Sequence, residues 1–375
     1  MEPSIYSFSL CIALPLMLFF GFYFLFAKTP EKKIFENYLR SRRIMGVALL
    51  LLAANYSVHF FLGIRFQNVN SAILMNLSTY FLCYYLFSSA MITLLDRFYI
   101  TRKRSWTHII LWVIFSILSG VVLLLPGGTM QKIGLLVLAA WLVIYGLMLA
   151  RRVIVAYRRA VRIFDDTHAD DIGAYIEWLS IFTYWALIFG VGCGLLTFLP
   201  DKYVFIWILS SIPFYSYLFY SYQNYLLFYE QVENAFEQDI QSEEKLLTDT
   251  ETEPEMVSGE EVPVSYTEII EKVDNWIKAD GYVQQGLTIK ELSKILYTNR
   301  TYLSAYIKTT YKMTFREWIT GLRLEYAKNI LKKHPEINIQ KLAESSGFLS
   351  RSNFIKSFTE KEGCTPAKWK KANLE

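Results

Sequence analysis

Two short stretches near the C-terminus carry side chains with the spacing of a DNA-reading surface, and the second stretch has the sharper pattern. Between Ile337 and Phe358 the apolar positions predict a helix, a turn at Gly347 and a second helix capped by Ser350. Glycine enters the left-handed backbone region of such a turn without a steric penalty. Phe354 and Phe358, four residues apart, mark the inward face of the second helix. The outward positions, available to base edges and phosphates, are Arg351, Ser352, Ile355 and Lys356.

A stretch about 50 residues earlier repeats this pattern less closely. A turn is expected at Tyr297-Thr298-Asn299, and a second helix from about Arg300 to Thr309. The predicted inward residues are Ile289, Leu292, Ile295 and Leu296 in the first helix and Tyr302, Leu303 and Ile307 in the second. The outward positions, which are the candidates to contact DNA, are Arg300, Thr301, Ser304, Ala305 and Lys308.

A long amphipathic helix is predicted between the two repeats. Its apolar positions are Phe315, Trp318, Ile319, Leu322, Ala327, Ile330 and Leu331. A rigid helix of this length would hold the two recognition helices at a fixed separation, so that both could enter major-groove segments about 34 Å apart. The pattern therefore predicts a soluble all-α domain with two helix-turn-helix motifs over residues 265–375.

This region resembles the DNA-binding domain of the AraC/XylS family of transcription regulators, over roughly Ile269 to Lys371. The resemblance is carried by Gly347-Phe348, Ser350, Phe354, Phe358, Gly363-Cys364-Thr365-Pro366, Trp369, Leu322-Arg323-Leu324 and Ala327. It implies sequence-specific binding to promoter DNA, with RNA polymerase as a further candidate partner. The chain departs from the family at Tyr297, where glycine is usual, and at Ser304 and Ala305, where longer polar side chains often read bases. A helical bundle with no role in DNA binding is the alternative.

The charge of the same region favours DNA binding. Residues 264–375 contain 19 Lys and Arg against 12 Asp and Glu, a net charge of +7. Lysine and arginine neutralise phosphates and release counterions, which supplies most of the sequence-independent affinity. The expected phosphate contacts are Arg300, Lys308 and Lys361, while Arg351 and Lys356 could contact either phosphates or bases. For any single lysine, a solvated surface position is the alternative.

The rest of the chain is predicted to span a membrane. The 375 residues are 53% hydrophobic, and their mean hydropathy is +0.26. A helix crosses a bilayer in about 20 apolar residues. Seven such spans are predicted, near Ile5–Ala27, Ile44–Ile64, Ser71–Leu95, Trp106–Leu125, Lys132–Ala150, Trp178–Leu199 and Tyr203–Tyr225. The fifth is the most marginal in length, which leaves six as the alternative count.

The charges of the connections between these spans predict their orientation. The first, third and fifth connections hold 15 Lys and Arg residues, whereas the second, fourth and sixth hold only Arg65, Lys132 and Lys202. Because Lys and Arg are enriched in cytoplasmic loops, we expect the N-terminus outside and the C-terminal domain in the cytoplasm of a bacterium, with the spans in its cytoplasmic (inner) membrane. No Lys or Arg precedes the first span, so it is expected to be retained rather than cleaved as a signal peptide.

An acidic segment separates the spans from the DNA-binding region. Between Glu230 and Ser265 there are 12 acidic residues against Lys245 alone. This composition predicts a solvated, largely unpacked linker, assigned to residues 229–264. Four apolar residues near its start keep helical spacing: Tyr229, Val232, Phe236 and Ile240. The last span could therefore continue as a helix and pair with a second copy of the chain, or the linker could be a simple tether.

Polar residues within the spans are few. Asn55 and His59 share one helical face and Asn76 falls in the next span, which favours a hydrogen bond between helices over a functional polar site. The four cysteines and four histidines show no metal-ligand spacing. The sequence contains no catalytic nucleophile with its base, and it predicts no metal, no cofactor and no enzymatic activity.

These patterns together predict a seven-helix transmembrane sensor over residues 1–228, followed by the linker and the all-α DNA-binding domain. The predicted function is that of a one-component transcription regulator, embedded in the lipid bilayer and controlled by a signal sensed in or through the membrane. One alternative is a receptor whose DNA-binding domain is released by proteolysis in the linker. The other is a transporter-like protein with a fused regulatory domain.

Overall fold

The computed structural model describes residues 5–126, 128–196, 201–251 and 266–374. Every regular element within these ranges is a helix, which confirms the predicted all-α fold. The chain forms two compact units. The N-terminal unit comprises Met1–Arg159 and Ile176–Glu230, and the C-terminal unit comprises Ala160–Tyr175 and Gln231–Glu375. Residues 160–175, which sequence patterns place in a connection between two spans, therefore pack with the C-terminal unit.

The N-terminal unit is a bundle of long apolar helices. They are α1 (Ile5–Phe26), α2 (Glu36–Phe61), the short α3 (Ile64–Gln67), α4 (Val69–Thr93), α5 (Arg102–Leu124), α6 (Thr129–Thr167), α7 (Glu177–Leu196) and α8 (Asp201–Glu251). The last parts of α6, from Ala160, and of α8, from Gln231, belong to the C-terminal unit. In the described part of the chain, six helical segments are long and apolar enough to cross a membrane: Ile5–Phe26, Lys33–Phe61, Arg102–Leu124, Thr129–Thr167, Ile172–Phe189 and Tyr203–Glu230.

Helix α4 occupies the position of the third predicted span. It packs against α2, α5 and α7, and its polar residues Asn76, Ser88 and Ser89 are buried. A helix surrounded by other helices does not need a fully apolar surface, because its polar groups find partners inside the bundle. This position is consistent with a third span at α4, although α4 is not among the six segments.

A buried hydrogen-bonded cluster ties three of these helices together. Asn76 Oδ1 accepts from Asn55 Nδ2 at 2.8 Å and lies 2.8 Å from His59 Nε2. The hydroxyl of Tyr6 lies 3.0 Å from His59 Nδ1. If His59 donates through Nε2, Tyr6 donates to Nδ1, and every contact of the ring is satisfied. The predicted bond between helices is therefore confirmed, with α1 as a third participant.

Two helices extend well beyond the predicted spans. Helix α6 has 39 residues and ends at Thr167, although the span predicted there ends at Ala150. Helix α8 has 51 residues and continues to Glu251, which confirms a helical extension of the last span. Residues 252–264 of the acidic linker, residue 265 of the predicted DNA-binding domain and residues 197–199 of the sixth predicted span lie outside the described residues.

The C-terminal unit contains seven further helices in its described residues: α9 (Tyr266–Lys278), α10 (Ile289–Ile295), α11 (Arg300–Thr310), α12 (Phe315–Lys333), α13 (Ile339–Ser345), α14 (Arg351–Glu362) and α15 (Pro366–Leu374). They surround two hydrophobic cores. The first core includes Leu292, Leu303, Ile307, Phe315 and Trp318. The second includes Leu324, Leu342, Phe354 and Phe358. Helix α12, the predicted connecting helix, contributes to both.

The inward positions of the first repeat need one correction. Ile289, Leu292 and Leu296 are buried as predicted, but Ile295 is 45% exposed. Helix α10 ends at Ile295, and the chain then turns so that Leu296, and not its neighbour, faces the first core. Tyr306, which was not among the predicted inward residues, is buried in the same core.

Candidate nucleic-acid interface

The turns of the two helix-turn-helix motifs have the same hydrogen-bond pattern. In the first, the Thr298 amide donates to the Ser293 carbonyl over 2.9 Å. In the second, the Phe348 amide donates to the Ala343 carbonyl over 3.0 Å. Each bond spans five residues around the end of a helix, as in the Schellman motif, and satisfies a carbonyl that the helix leaves unpaired.

Each turn places one residue in the left-handed backbone region. Gly347 has φ +84°, as predicted, and Tyr297 has φ +53°. A Cβ atom at position 347 would lie 2.5 Å from the Val283 carbonyl oxygen, so the second turn also needs glycine for space. The Tyr297 side chain is 84% exposed. Tyrosine is therefore tolerated in the first turn at the cost of backbone strain.

Both recognition helices, α11 and α14, begin at a side-chain cap. Ser350 Oγ accepts from the Asn353 amide at 3.2 Å, which confirms the predicted cap of α14. Asn299 Oδ1 accepts from the Tyr302 amide at 2.7 Å at the start of α11. The predicted inward residues of α14, Phe354 and Phe358, are completely buried. These caps and contacts fix which face of each helix points outward.

The residues predicted to contact DNA lie on the outward faces to different extents. The exposed ones are Thr301, Ala305 and Lys308 on α11 and Arg351, Ser352 and Lys356 on α14. The half-buried ones are Arg300, Ser304 and Ile355. Ile355 packs against the second core, so it is less available to DNA than its sequence position suggests. Each helix thus presents an exposed lysine and short polar or small side chains.

A buried arginine on α12 holds the first half of the domain together. Arg323 is 1% exposed and donates to the carbonyls of Tyr282 (2.8 Å) and Gln284 (2.7 Å). Its Nη1 lies 3.1 Å from Asp170 Oδ1, and Asp170 Oδ2 accepts from the Gly286 amide at 3.1 Å. Burial raises the pKa of the Asp170 carboxyl and lowers that of the Arg323 guanidinium, and the ion pair opposes both shifts.

Sequence patterns did not reveal the residues that pair with the outward lysines. They belong to an acidic segment, residues 165–171, that contains Asp165, Asp166, Asp170 and Asp171. Lys308 Nζ lies 2.7 Å from Asp166 Oδ2, and Lys356 Nζ lies 3.2 Å from Asp171 Oδ2. The sequence feature that could have revealed them is the presence of four carboxylates within seven residues of an otherwise basic connection. In the described residues, no group of three or more His, Cys, Asp or Glu side chains is placed to hold a metal ion.

Residues 292–372 match the model of a family described as "Helix-turn-helix domain". The match covers both turns, both recognition helices and the helix that joins them. The C-terminal domain is an AraC-type helix-turn-helix domain. The resemblance drawn from Gly347-Phe348, the Gly363–Pro366 run and Trp369 is therefore confirmed for this domain, whose family is one of DNA-binding domains and not a class of enzyme.

Two proteins of Bacillus subtilis (strain 168) are similar to part of this chain. The "Uncharacterized HTH-type transcriptional regulator YtdP" is 30% identical over 87 residues, which are 23% of this chain and 11% of that protein. The "Uncharacterized HTH-type transcriptional regulator YobQ" is 32% identical over 86 residues, 23% of this chain and 35% of that protein. The chain thus spans about a tenth and about a third of these two relatives. No solved structure matches it.

Proposed function

We propose that the chain is a one-component transcription regulator embedded in the cytoplasmic membrane of a bacterium. It binds promoter DNA sequence-specifically through α11 and α14 and responds to a signal sensed in or through the membrane. The observation that carries the proposal is the AraC-type domain in one chain with six helical segments long and apolar enough to cross a bilayer. A reader of DNA held at a membrane can act on promoters without a separate signalling partner.

The geometry of the domain supports a division of labour between its side chains. Lys308, in the last turn of α11, and Lys356, near the middle of α14, are exposed cations suited to phosphates. Arg351 and Ser352 lie in the first turn of α14, the part of a recognition helix that meets base edges. Helix α12 has 19 residues, and at 1.5 Å per residue it is about 28 Å long, close to one turn of DNA.

The first repeat offers less for base recognition. Of its five outward positions, Ser304 and Ala305 are too short to reach far into a groove, and Arg300 and Ser304 are half-buried. We assign α11 mainly to positioning through phosphates and α14 mainly to base-specific contacts.

The proposed orientation places the N-terminus outside and the AraC-type domain in the cytoplasm, where the promoter is, and it requires α4 to cross the bilayer as a seventh span in addition to the six segments. It rests on the 15 Lys and Arg residues of the odd-numbered connections against three in the even-numbered ones. The further partners we propose are the bilayer, RNA polymerase at the bound promoter, and a second copy of the chain paired through the extended α8. Reporter fusions at the connections test the orientation, and an external C-terminus would contradict the function.

Selection of bound sequences from a pool of random 40-bp duplexes by the full-length protein in lipid nanodiscs tests direct DNA reading. We expect an enriched motif, and we expect Arg351→Ala with Lys356→Ala to weaken binding to it by roughly tenfold or more, because Arg351 loses a base contact worth about 1–3 kcal/mol and Lys356 loses a phosphate contact. The matched control is Lys332→Ala with Lys333→Ala, two exposed lysines at the end of α12. Undiminished specific affinity in the first pair would reject base reading by α14.

A further inference from the structure

We propose that the acidic segment is a docking surface for the DNA-contacting face of this chain's own AraC-type domain, so that docking and DNA binding exclude each other. The proposal rests on the proposed function, because it assigns a second occupant to the lysines of the recognition helices. All of the contacts that carry it lie within the C-terminal unit.

The acidic segment forms an ion pair with one lysine of each recognition helix. Lys308 of α11 pairs with Asp166 at 2.7 Å, and Lys356 of α14 pairs with Asp171 at 3.2 Å. The two lysine side chains remain 51% and 49% exposed, whereas the two carboxylates are 22% and 15% exposed. The carboxylates are therefore fixed within the unit, whereas the more exposed lysine side chains can be reached by another anion.

A third pair extends the contact to the connecting helix. Arg316, in the first turn of α12, lies 2.7 Å from Asp165 Oδ1 through Nε and 3.1 Å from Asp171 Oδ1 through Nη1. Asp171 thus stands between Arg316 and Lys356. Carboxylates held against cations from α11, α12 and α14 occupy the place that a DNA phosphate backbone would take along the same helices.

The acidic segment is anchored by more than surface charge. Ala169 is 3% exposed and belongs to the first hydrophobic core, and its amide donates to the Leu287 carbonyl over 3.0 Å. His168 forms an isolated antiparallel bridge with Thr288, and Asp170 reaches the buried Arg323. Because residues 168–170 are seated in the domain, the flanking Asp165, Asp166 and Asp171 are held in place to meet the cations.

Competition with DNA follows from these contacts. A lysine ammonium paired with a carboxylate at 2.7 Å cannot make the same contact with a phosphate, and an anionic segment beside both recognition helices repels the duplex. The apparent affinity for DNA is then the intrinsic affinity multiplied by the fraction of molecules that are undocked. Helix α6 ends at Thr167, inside the acidic segment. A displacement of this apolar helix would therefore be transmitted along the continuous backbone to the ion pairs of the acidic segment.

The test compares full-length proteins in lipid nanodiscs, using a fluorescein-labelled 40-bp duplex of random sequence at fixed salt. The variant is Asp165→Asn with Asp166→Asn and Asp171→Asn, which leaves the buried partner of Arg323 unchanged. The control removes three exposed carboxylates of the N-terminal unit, by Glu31→Gln with Glu36→Gln and Glu177→Gln. We expect the variant to bind at least about fivefold more tightly than the unchanged protein, and the control to stay within about twofold.

A second readout follows docking itself. A zero-length carbodiimide reagent joins an amine to a carboxylate only in direct contact, so it should link Lys308 to Asp166 and Lys356 to Asp171, as identified by mass spectrometry. We expect a saturating amount of the duplex to suppress both links. Persistence of both links in the DNA-bound protein would overturn the proposal.

The remaining outcomes separate this inference from the proposed function. If the unchanged protein and the triple variant bind the duplex equally well, docking does not compete with DNA, and the regulator remains. If neither protein binds the duplex although both links form, the proposed function fails and the competition fails with it.

Discussion

Gly347 and Tyr297 occupy the same place in two equivalent turns, but the molecule depends on them differently. Both have positive φ, and both follow the last turn of a short helix. The role of Gly347 was predictable, because a turn between two amphipathic helices needs a left-handed residue. The close approach of the Val283 carbonyl was not, because it depends on how the two halves of the domain pack.

We expect Gly347→Ala to destabilise the AraC-type domain by about 3 kcal/mol or more, since alanine adds the left-handed penalty and a clash with backbone. The matched control is Gly363→Ala, where φ is +72° but a Cβ atom meets open space, so that only about 1 kcal/mol should be lost. Hydrogen exchange of the α13 and α14 amides in the full-length protein measures both. Equal losses in the two variants would contradict the predicted clash.

Tyr297→Gly should have the opposite effect. Tyrosine at φ +53° carries a strain of about 1–2 kcal/mol, and glycine removes it while adding about 0.5–1 kcal/mol of chain entropy. We therefore expect a net gain of about 0.5–1 kcal/mol, seen as slower exchange of the α10 and α11 amides. Tyr297→Ala, which keeps the Cβ atom and removes the ring, should show no such gain. A gain of equal size in both variants would assign the effect to the exposed ring.

At the scale of elements, sequence periodicity predicted which segments are helices more reliably than it predicted where those helices end and which residues they contact. The extended α8 was foreseen from the spacing of Tyr229 and Val232, because helical periodicity continues past the last span. The end of α6 was not, because charged residues after Ala150 stop a hydropathy pattern but do not stop a helix. The acidic segment also escaped prediction. Its partners lie more than a hundred residues away, and spacing along the sequence carries no information about such pairs.

The seating of the acidic segment has a direct consequence for stability. Asp170→Asn removes the negative partner of Arg323, which stays buried with a full positive charge. Breaking such a pair costs about 3–5 kcal/mol of folding stability. Because two backbone carbonyls still accept hydrogen bonds from Arg323, we expect a loss near the lower end of this range. We expect faster hydrogen exchange throughout α10 and α12 of the full-length protein.

The control for this prediction removes both charges. Asp170→Asn with Arg323→Met leaves no unpaired buried cation, so it should be less destabilising than Asp170→Asn alone. If the double variant is as unstable as the sum of two independent losses, the pair contributes through packing and not through charge.

At the scale of the whole molecule, two sets of observations meet in one chain. Hydropathy and loop charge predicted an apolar N-terminal bundle, and the six apolar helical segments agree with it. Turn and cap residues predicted the AraC-type domain, which the family match over residues 292–372 confirms. What sequence could not predict is the assignment of residues 160–175 to the C-terminal unit, because that requires knowing which surfaces pack together.

The central claim is that a membrane-embedded chain occupies promoters directly. The measurement that tests it is the genome-wide DNA occupancy of the full-length protein with a C-terminal tag, in living cells, alongside a blot of membrane and soluble fractions. The triple Asp→Asn variant of the acidic segment serves as the undocked form.

We expect discrete occupied sites, more strongly occupied in the undocked variant, while all of the tagged protein remains at full length in the membrane fraction. Occupied sites accompanied by a soluble tagged fragment of about 110 residues, the length of the predicted domain, would instead indicate release by proteolysis. The absence of occupied sites in both forms would contradict the claim that this chain binds promoters.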